Sequence, residues 1–487
     1  MLIIRRQSSS GGLSFNVLYA LCFFFAFVNV ATIGSPLNII VTIPQFVIVI
    51  KFLLDGDIKN ATLLHFAFIL ISISSQGVYG MYDDQNFLMY NYGTLKLIGP
   101  VRACYLVNIV LVAAINISKL RINKNSLYYK MFKIMVYLAA SGVVIGLCGF
   151  VLDPYYALEG FVDNCVYMFV LLSSMYILLH IIDENAVKSA YYIGLIALMV
   201  GPVVSALGFL FLHITSSYGM YDIAVNLDIV NFCPLLLYGL LYVEKKQLLY
   251  ISIAAYLFVA ILAIGGKSIF GIAFCLISFF FLLVFDKETK NNHPKSAKLL
   301  RPFMFIIIVL IPVAVTKLGD SFAAYKVTSA LSIFSGDLSE VARSPFIRIA
   351  SLINILYEGI QNPFILIFGN GYGGYFEDHF NYFEGLQLEK GAWHGEDLVT
   401  GRYHSGHDTI VVAPLLNGLF GLYLLIKISW QYIKRIKYNY FSAMAFLWII
   451  LVFYSNTILA YIGTFLLFAS EYDLNNSLIK KPNNKRH

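Results

Sequence analysis

Hydrophobic runs recur along this chain from Leu13 to Ser470, and no soluble block separates them. A helix needs roughly 20 apolar residues to cross a bilayer, and many of these runs approach that length. Only 13% of the 487 residues are charged and 59% are hydrophobic, whereas an ordinary soluble domain is about 25% charged. Because such a chain cannot cover itself with polar surface, its solvent must be lipid. The sequence therefore predicts an all-α fold, a polytopic bundle of transmembrane helices.

The basic residues indicate how these spans alternate across the membrane. With the N-terminus in the cytoplasm, most of the 34 lysines and arginines fall in cytoplasmic segments, as the positive-inside rule predicts. The basic C-terminal tail then also lies inside, which requires an even number of spans. The stretch 441–470 has a polar break at Ser455 and Asn456, so we divide it and predict about 14 spans, with about 13 as the alternative. This arrangement explains the net charge of +7 better than nucleic-acid binding does.

One outer segment, Lys317 to Asp408, is far longer than the other outer loops and holds most of the basic residues that lie against this rule. Long loops in compact proteins are usually functional or disordered, and this one contains an amphipathic stretch and a glycine cluster. We expect it to fold against the membrane. The predicted organisation is a transmembrane bundle of about 11 spans over 1–317, a large outer loop with amphipathic helices over 318–408, further spans over 409–470 and a cytoplasmic tail over 471–487.

Four cations on the outer side are candidates for binding a diphosphate. Arg348 falls early in the amphipathic stretch, and a guanidinium binds phosphate through two parallel hydrogen bonds. Lys267 follows two glycines in a short outer turn. Arg102 falls in the predicted span 94–117, about two turns inside the membrane, where an arginine is a functional hypothesis by default. Arg402 begins the polar end of the outer loop. For Arg348 the alternative is snorkelling to lipid headgroups, and for Lys267 a plain tight turn.

Histidines gather at the end of the same loop, where His394, His404 and His407 lie close together in sequence. Histidine is the side chain that exchanges protons near neutral pH, so this cluster is a candidate for acid–base chemistry. The alternative is a polar loop at the membrane surface. No metal site is predicted, because the histidines lack accompanying ligands at zinc-like spacing. The six cysteines fall in apolar runs, so no disulfide framework is predicted either.

The aromatic and polar residues of the outer loop suit a carbohydrate. Flat rings such as Tyr372 and Trp393 pack on sugar faces, and His404 and Asp408 offer hydrogen bonds to hydroxyls. The alternative for the rings is an aromatic belt at the membrane interface. The run Gly369–Gly374 is superficially similar to a nucleotide loop, but it lacks a strand–turn–helix context, so we expect only a sharp turn.

Three motifs of this chain resemble those of bacterial O-antigen polymerases and O-antigen ligases, which are membrane glycosyltransferases. His407-Asp408, then nine residues, then Gly418-Leu419-Phe420-Gly421 is similar to their pattern of His and Asn, Ser or Gln, nine residues, and Gly-x-x-Gly. Arg348-x-x-x-Leu352 is similar to their Arg-x-x-x-Leu motif, and Gly369 to Gly373 is similar to their glycine turn. The resemblance covers the chain from Gly265 to Gly421.

Two positions depart from the family pattern. Asp408 replaces the usual amide or hydroxyl, and Lys267 stands where these families often carry an arginine before a span. Lysine still binds phosphate as a point charge, so the second departure is mild.

The resemblance implies a multi-pass enzyme of the bacterial inner membrane whose active site faces the periplasm. Its donor would be an oligosaccharide linked to undecaprenyl diphosphate, and it would need no metal or other cofactor. His407 would act as the catalytic base with Arg348 as a catalytic cation, and Lys267, Arg102 and Arg402 would hold the diphosphate. Membrane lipid and a chain-length regulator are candidate partners; nucleic acid is not.

Three other functions stay open at this point. A ligase differs from a polymerase only in its acceptor, lipid A-core instead of a second lipid-linked repeat unit. We favour a polymerase because ligases keep the His motif more faithfully than this chain does. A flippase for lipid-linked oligosaccharides would suit many spans, but it needs no long outer loop with clustered His and Arg, and it should carry charged residues along a central cavity. A structural scaffold would not explain cations that lie against the topology rule.

Overall fold

A computed structural model of the chain describes a large part of it in detail. The described residues are 15–31, 37–74, 91–98, 100–120, 122, 124, 126–181, 183–212, 233–237, 239, 246–262, 275–279, 343–383, 395–404, 409–436, 439–451, 453–454 and 457–471. About 80% of the structure is helical, which confirms the predicted helical class.

The helices fall into two groups along the chain. The first group comprises α1 (Phe15–Ala31), α2 (Leu37–Leu54), α3 (Ile58–Ser74), α4 (Ala103–Ile117), α5 (Leu127–Leu152), α6 (Leu158–His180), α7 (Glu184–Leu212) and α8 (Lys246–Leu262). The second comprises α9 (Arg343–Gln361), α10 (Pro363–Phe368), α11 (Gly395–Thr400), α12 (Thr409–Ile433), α13 (Tyr440–Leu451) and α14 (Thr457–Ala469). Two short antiparallel strand pairs add β1 (Lys96–Ile98) with β2 (Val101–Arg102) and β3 (Phe376–Glu377) with β4 (Arg402–Tyr403).

Helices α2, α5, α6 and α12 are each long and apolar enough to cross a membrane. Several other described helices are apolar but shorter, among them α3, α4 and α14. The chain is therefore a helical membrane protein, while the predicted total of about 14 spans is more than these helices establish.

The side-chain pattern of α2 is that of a helix whose outer solvent is lipid. Its buried residues include Asn38, Thr42 and Gln45, whereas its exposed face carries Ile40 and Val47. The Gln45 amide donates to Asn29 Oδ1 of α1 at 3.2 Å. Polar groups inside and apolar groups outside are unfavourable in water, but in a bilayer buried polar groups can bond to one another and the apolar face meets lipid tails.

The helix ends lie at two opposite ends of the bundle. We call the end marked by Asp153, Leu158 and Thr409 the site end of the bundle, because the candidate site lies there. At the opposite end Lys59 forms an ion pair with Asp183 at 2.7 Å. Helix α6 runs from one end to the other over roughly 33 Å. At each end of the bundle, the segments that meet are segments that the distribution of basic residues assigns to the same side of the membrane.

The stretch 441–470, which we divided into two spans, forms the two antiparallel helices α13 and α14. The Asn439 amide before α13 donates to the carbonyl oxygen of Ser470 after α14, so the chain returns to the level at which it entered. Arg435 and Glu471 form an ion pair beside this contact at 3.2 Å.

The prediction of a span over 94–117 is wrong in its first turns, and this moves Arg102. The chain forms the β1–β2 hairpin there, and α4 begins only at Ala103. Pro100 lies between the two strands, and proline has no N–H to continue a helix. Arg102 therefore lies at the N-terminal end of α4 and not inside a helix, and its Nη1 donates to the Gly93 carbonyl oxygen at 3.3 Å.

A non-helical turn that follows α10 is inserted between α5 and α12. The Tyr372 N–H donates to the Gly142 carbonyl oxygen of α5 at 2.9 Å, and the Gly371 N–H donates to the Leu416 carbonyl oxygen of α12 at 3.2 Å. Helix α12 has a break at Gly418, whose φ is 58°, just beyond that carbonyl. Buried backbone groups need partners, so the turn is tolerated because the two helices supply them.

Glycines on both sides allow this close approach. A Cβ at Gly146 of α5 would overlap the Tyr372 carbonyl oxygen, and a Cβ at Gly371 would overlap the Gly146 backbone nitrogen. The turn thus rests backbone against backbone on a glycine face of α5, with no room for a side chain.

This packing predicts different costs for two alanine substitutions. Gly371 and Gly401 both have positive φ, 72° and 68°, so alanine at either position should cost about 1–2 kcal/mol of backbone strain. At Gly371 the added methyl also collides with backbone, whereas no atom of the described residues lies within 4 Å of a Cβ at Gly401. Gly371→Ala should therefore destabilise the protein by roughly 1–3 kcal/mol more than Gly401→Ala. Thermal unfolding of the purified variants in detergent measures the difference, and equal melting temperatures would contradict this packing.

Candidate functional site

The site begins where the glycine turn leaves the bundle. Strand β3 pairs with β4 so that Glu377 lies opposite Arg402. This register places the two side chains together, and Arg402 Nε donates to Glu377 Oε1 at 3.1 Å. The guanidinium and the carboxylate are both partly exposed. Arg402 is therefore held in an ion pair at the site end of the bundle.

The turn between α5 and α6 supplies the other half of the site. The guanidinium carbon of Arg402 lies 3.5 Å from the ring centroid of Tyr155, a close cation–π contact. The Tyr375 hydroxyl donates to Asp153 Oδ2 at 2.8 Å, and the Tyr156 hydroxyl donates to the Asn370 carbonyl oxygen at 2.7 Å. These bonds join the α5–α6 turn to the segment that follows the glycine turn.

His404 joins the same two parts of the chain through both ring nitrogens. Nδ1 lies 2.7 Å from Asp397 Oδ1, and Nε2 lies 3.1 Å from the Tyr155 carbonyl oxygen. A carbonyl and a carboxylate are both acceptors, so each ring nitrogen donates and the imidazole is held in its charged form.

The environment of His404 also favours the charged form. Burial alone lowers the pKa of His404, but the hydrogen bonds to Asp397 and to the Tyr155 carbonyl, with the charge of Asp397, outweigh it and raise the pKa above its usual value. A histidine whose nitrogens both donate has no lone pair to accept a proton. With both nitrogens donating, His404 is not placed to act as a base, and neither nitrogen is left to bind the sugar hydroxyl that we predicted for it.

Helix α9 holds the segment after the glycine turn from the other side. The Asn354 amide donates to Asp378 Oδ1 at 3.0 Å, and the His379 N–H donates back to Asn354 Oδ1 at 3.0 Å. Glu358 Oε1 accepts from the Glu377 N–H at 2.7 Å and from His379 Nε2 at 3.0 Å. Burial raises the pKa of Glu358, although these hydrogen bonds oppose the shift.

Arg348, a predicted diphosphate ligand, lies on α9 at the edge of its buried face. It lies roughly 15 Å along the helix axis from Glu358 and roughly 9 Å from Asn354, the two residues that contact the β3 segment.

The three segments that carry the family resemblance meet at α12. Helix α9 packs against α12, and so does α10, which leads into the glycine turn. A Cβ at Gly369 would lie 2.7 Å from the Gly418 backbone nitrogen, and one at Gly421 would overlap Asn417. The Asn417 amide in turn donates to the Leu138 carbonyl oxygen of α5 at 3.0 Å. The Gly-x-x-Gly pair is thus explained by close packing at the break in α12.

Tyr372 does not have the exposed ring that sugar binding requires. Its side chain is fully buried between α5 and the α13–α14 turn, and its hydroxyl is hydrogen-bonded to the Tyr454 hydroxyl at 2.7 Å. An aromatic residue in a glycine turn fits either a sugar platform or an anchor, and the structure places this one as an anchor.

Four of the predicted site residues lie outside the described residues: Lys267, Trp393, His407 and Asp408. Among the residues that are described, no group of three or more His, Cys, Asp or Glu is arranged to hold a metal ion. Sequence reasoning did not single out Tyr155 or Asp153. The signal for them was an acidic and aromatic sequence, Asp153-Pro154-Tyr155-Tyr156, in a short turn that is predicted to be outer and has no basic residues.

Comparison of the chain with protein-family models, with curated proteins and with solved structures finds no match. The function must therefore be inferred from the geometry of the site and from the motifs.

The His404–Asp397 pair predicts a pH-dependent stability. Because the pKa of His404 is raised in the folded protein, its contribution is complete below the unfolded value of about 6.5 and is lost as the pH rises through the folded value. Asp397→Asn should therefore cost roughly 1.5–3 kcal/mol at low pH and less at high pH. Thermal unfolding at about pH 5.5 and about pH 8.5, on either side of the histidine range, measures this.

Asp183→Asn is the matched control, because it breaks an ion pair with Lys59 at the opposite end and lysines stay charged across this range. A destabilisation by Asp397→Asn that is equal at both pH values would show that His404 is not held in its charged form.

Proposed function

We propose that this protein is a membrane glycosyltransferase of the O-antigen polymerase type. It transfers a glycan from undecaprenyl diphosphate to a sugar hydroxyl of another lipid-linked repeat unit. The observation that carries the proposal is the packing of the Arg348 helix, the glycine turn at Gly369–Gly373 and the Gly418–Gly421 pair around α12. These segments are the ones that resemble the family motifs, and their contacts give each glycine a physical reason.

In this proposal His407 is the catalytic base. It takes the proton of the acceptor hydroxyl as that oxygen attacks the anomeric carbon of the donor, and the glycosidic bond to the diphosphate breaks. A histidine base must have a free nitrogen, which His404 lacks. His407 is the next histidine in the chain, two residues before α12.

The diphosphate leaves as an anion and needs no proton, so fixed positive charge is the main requirement for its departure. We assign this role to Arg348 and Lys267, with Arg102 at the N-terminal end of α4 as a third candidate. The reaction then needs no metal ion, and Asp408 beside His407 serves to orient the base or to bind the acceptor sugar with Trp393.

A ligase that uses lipid A-core as acceptor is the second candidate, since the same base and cations would serve. We favour the polymerase because Asp408 departs from the His motif that ligases keep. A flippase is disfavoured, because the polar cluster around Arg402 lies at one end of the bundle and not along its centre.

The proposed topology has about 14 spans, with both termini in the cytoplasm and the site end in the periplasm of the bacterial inner membrane. Cysteine labelling tests this orientation. Glu159→Cys at the site end should react with a membrane-impermeant maleimide in intact cells, whereas Lys119→Cys at the opposite end should react only after permeabilisation. Both positions are exposed, and the parent chain with its own cysteines gives the background. Reversed labelling would place the site in the cytoplasm and exclude a periplasmic polymerase.

A gene deletion complemented with variants tests the reaction itself. The deletion strain should show only single-repeat surface glycolipid on a gel, and wild type should restore the ladder. His407→Ala should lower the polymer yield by roughly 10²–10⁴-fold, the usual contribution of a base, while the protein stays in the membrane. His180→Ala at the opposite end is the control and should restore the ladder. Bare lipid A-core with polymer left on its carrier would indicate a ligase, and a full ladder from His407→Ala would disprove the mechanism.

A further inference from the structure

The charges around Arg402 do not suit a diphosphate. The described cluster contains two cations, Arg402 and the charged His404, and three carboxylates, Asp153, Glu377 and Asp397. The carboxylate of Glu377 lies in direct contact with the guanidinium, 3.1 Å from Nε. A bound phosphate would be repelled by this carboxylate at close range, so the ion pair weakens Arg402 as a phosphate ligand.

The groups that remain available form a mixture of donors and acceptors. Within the described part of the chain, no hydrogen bond occupies the two terminal nitrogens of Arg402 or Oε2 of Glu377. Asp153, in contrast, uses both oxygens, since Oδ1 accepts from the Tyr155 N–H and Oδ2 from the Tyr375 hydroxyl. A sugar hydroxyl donates one hydrogen bond and accepts others, so a fixed guanidinium beside a carboxylate can bind two neighbouring hydroxyls.

Tyr155 supplies a flat apolar surface next to these groups. Its side chain is 53% exposed although the guanidinium of Arg402 lies over its ring. Its backbone is held on both sides, because its N–H donates to Asp153 and its carbonyl accepts from His404. The ring is therefore held in place before any ligand binds, which lowers the entropic cost of binding.

We propose that Arg402, Glu377 and Tyr155 form a subsite for an uncharged sugar of the glycan and not for its diphosphate. This inference rests on the proposed function, which supplies the class of ligand. It assigns new roles to Glu377 and Tyr155, and it moves Arg402 from the diphosphate site to a sugar site. Arg402 and Glu377 bind hydroxyls, Tyr155 packs on the sugar face, and His404 is a positioning residue that holds the Tyr155 backbone.

Two probes distinguish the sugar from the diphosphate. One is the repeat-unit oligosaccharide released from the surface polysaccharide of the host, which carries no phosphate, and the other is inorganic pyrophosphate. Binding of the oligosaccharide to the full-length protein in nanodiscs is measured by saturation-transfer NMR, and binding of pyrophosphate, which has no non-exchangeable protons, is measured by isothermal titration calorimetry. Tyr155→Ala, Glu377→Gln and Arg402→Gln should each weaken oligosaccharide binding about tenfold, as loss of one hydrogen bond to a charged group or one packing surface does. Pyrophosphate binding should change less than about twofold.

The variants are chosen so that loss of folding does not imitate loss of binding. Tyr155→Ala keeps the backbone bonds to Asp153 and His404, and Glu377→Gln keeps an oxygen that can accept from Arg402. Lys59→Gln removes one partner of an ion pair of similar exposure at the opposite end, and it should leave both affinities unchanged.

Two outcomes would overturn the subsite. One is oligosaccharide binding that none of the three variants weakens. The other is an Arg402→Gln variant that loses pyrophosphate and keeps the oligosaccharide, which would return Arg402 to the diphosphate site. A failure of the proposed function is seen in a different experiment, because a deletion strain that keeps its polysaccharide ladder disproves the enzyme whatever these variants bind.

Discussion

The backbone contact of the glycine turn with α5 and α12 is the constraint on which the rest of the site depends. Tyr372 and Gly371 donate their N–H groups to carbonyls of the two helices, and no side chain separates the backbones. The turn leads directly into β3, and β3 sets the register of β4 and thereby the position of Arg402. Helix α12 begins a few residues after β4. The contact of the glycine turn with α12 and, through β3, with β4 therefore fixes the two elements that flank the short segment with His404 and His407. A side chain at Gly371 or Gly146 would collide with the facing backbone and force this contact to shift.

The second constraint is the solvent. Lipid cannot hydrogen-bond a backbone, so non-helical chain at membrane depth must find its partners in the protein. The break in α12 at Gly418 and the glycine face of α5 meet this requirement for the turn. The same reasoning explains why Asn29 and Gln45 bond to each other inside the bundle while isoleucines face outward. In the described part of the chain, the polar groups named above therefore lie in the bundle interior and at its ends.

The features of the fold that follow from composition and hydropathy could be predicted from the sequence. The helical class follows from hydropathy, and the division of 441–470 follows from a polar break together with the charge of the tail. The position of Arg102 could not be predicted in this way, because a hydropathy window averages over Pro100 and does not register the missing N–H that ends a helix. The predicted alternation of the spans across the membrane places the same helix ends together as the contacts do. Contacts alone do not say which end of the bundle faces the cytoplasm.

The composition of the site could be predicted in part, and its pairings could not. Arg402, His404 and the glycine turn were found because charge, titratable groups and glycines stand out in an apolar chain. Their partners lie far away in sequence, and only the register of two short strands and the docking of the turn bring Tyr155 to Arg402. Tyr372 shows the limit most clearly, since the same ring that can stack on a sugar serves here as a buried anchor bonded to Tyr454.

The pairing changes the chemistry assigned to the cations. A cation that must stabilise a departing diphosphate needs uncompensated charge, because a carboxylate in contact with it cancels most of its field. Arg402 is compensated by Glu377, and His404 by Asp397. Arg402 is thus suited to recognise neutral hydroxyls and His404 to hold structure, and in the proposed reaction the charge for the leaving group comes from elsewhere. In the proposed reaction this leaves Arg348, the arginine of the motifs that resemble the family, as the candidate for the diphosphate.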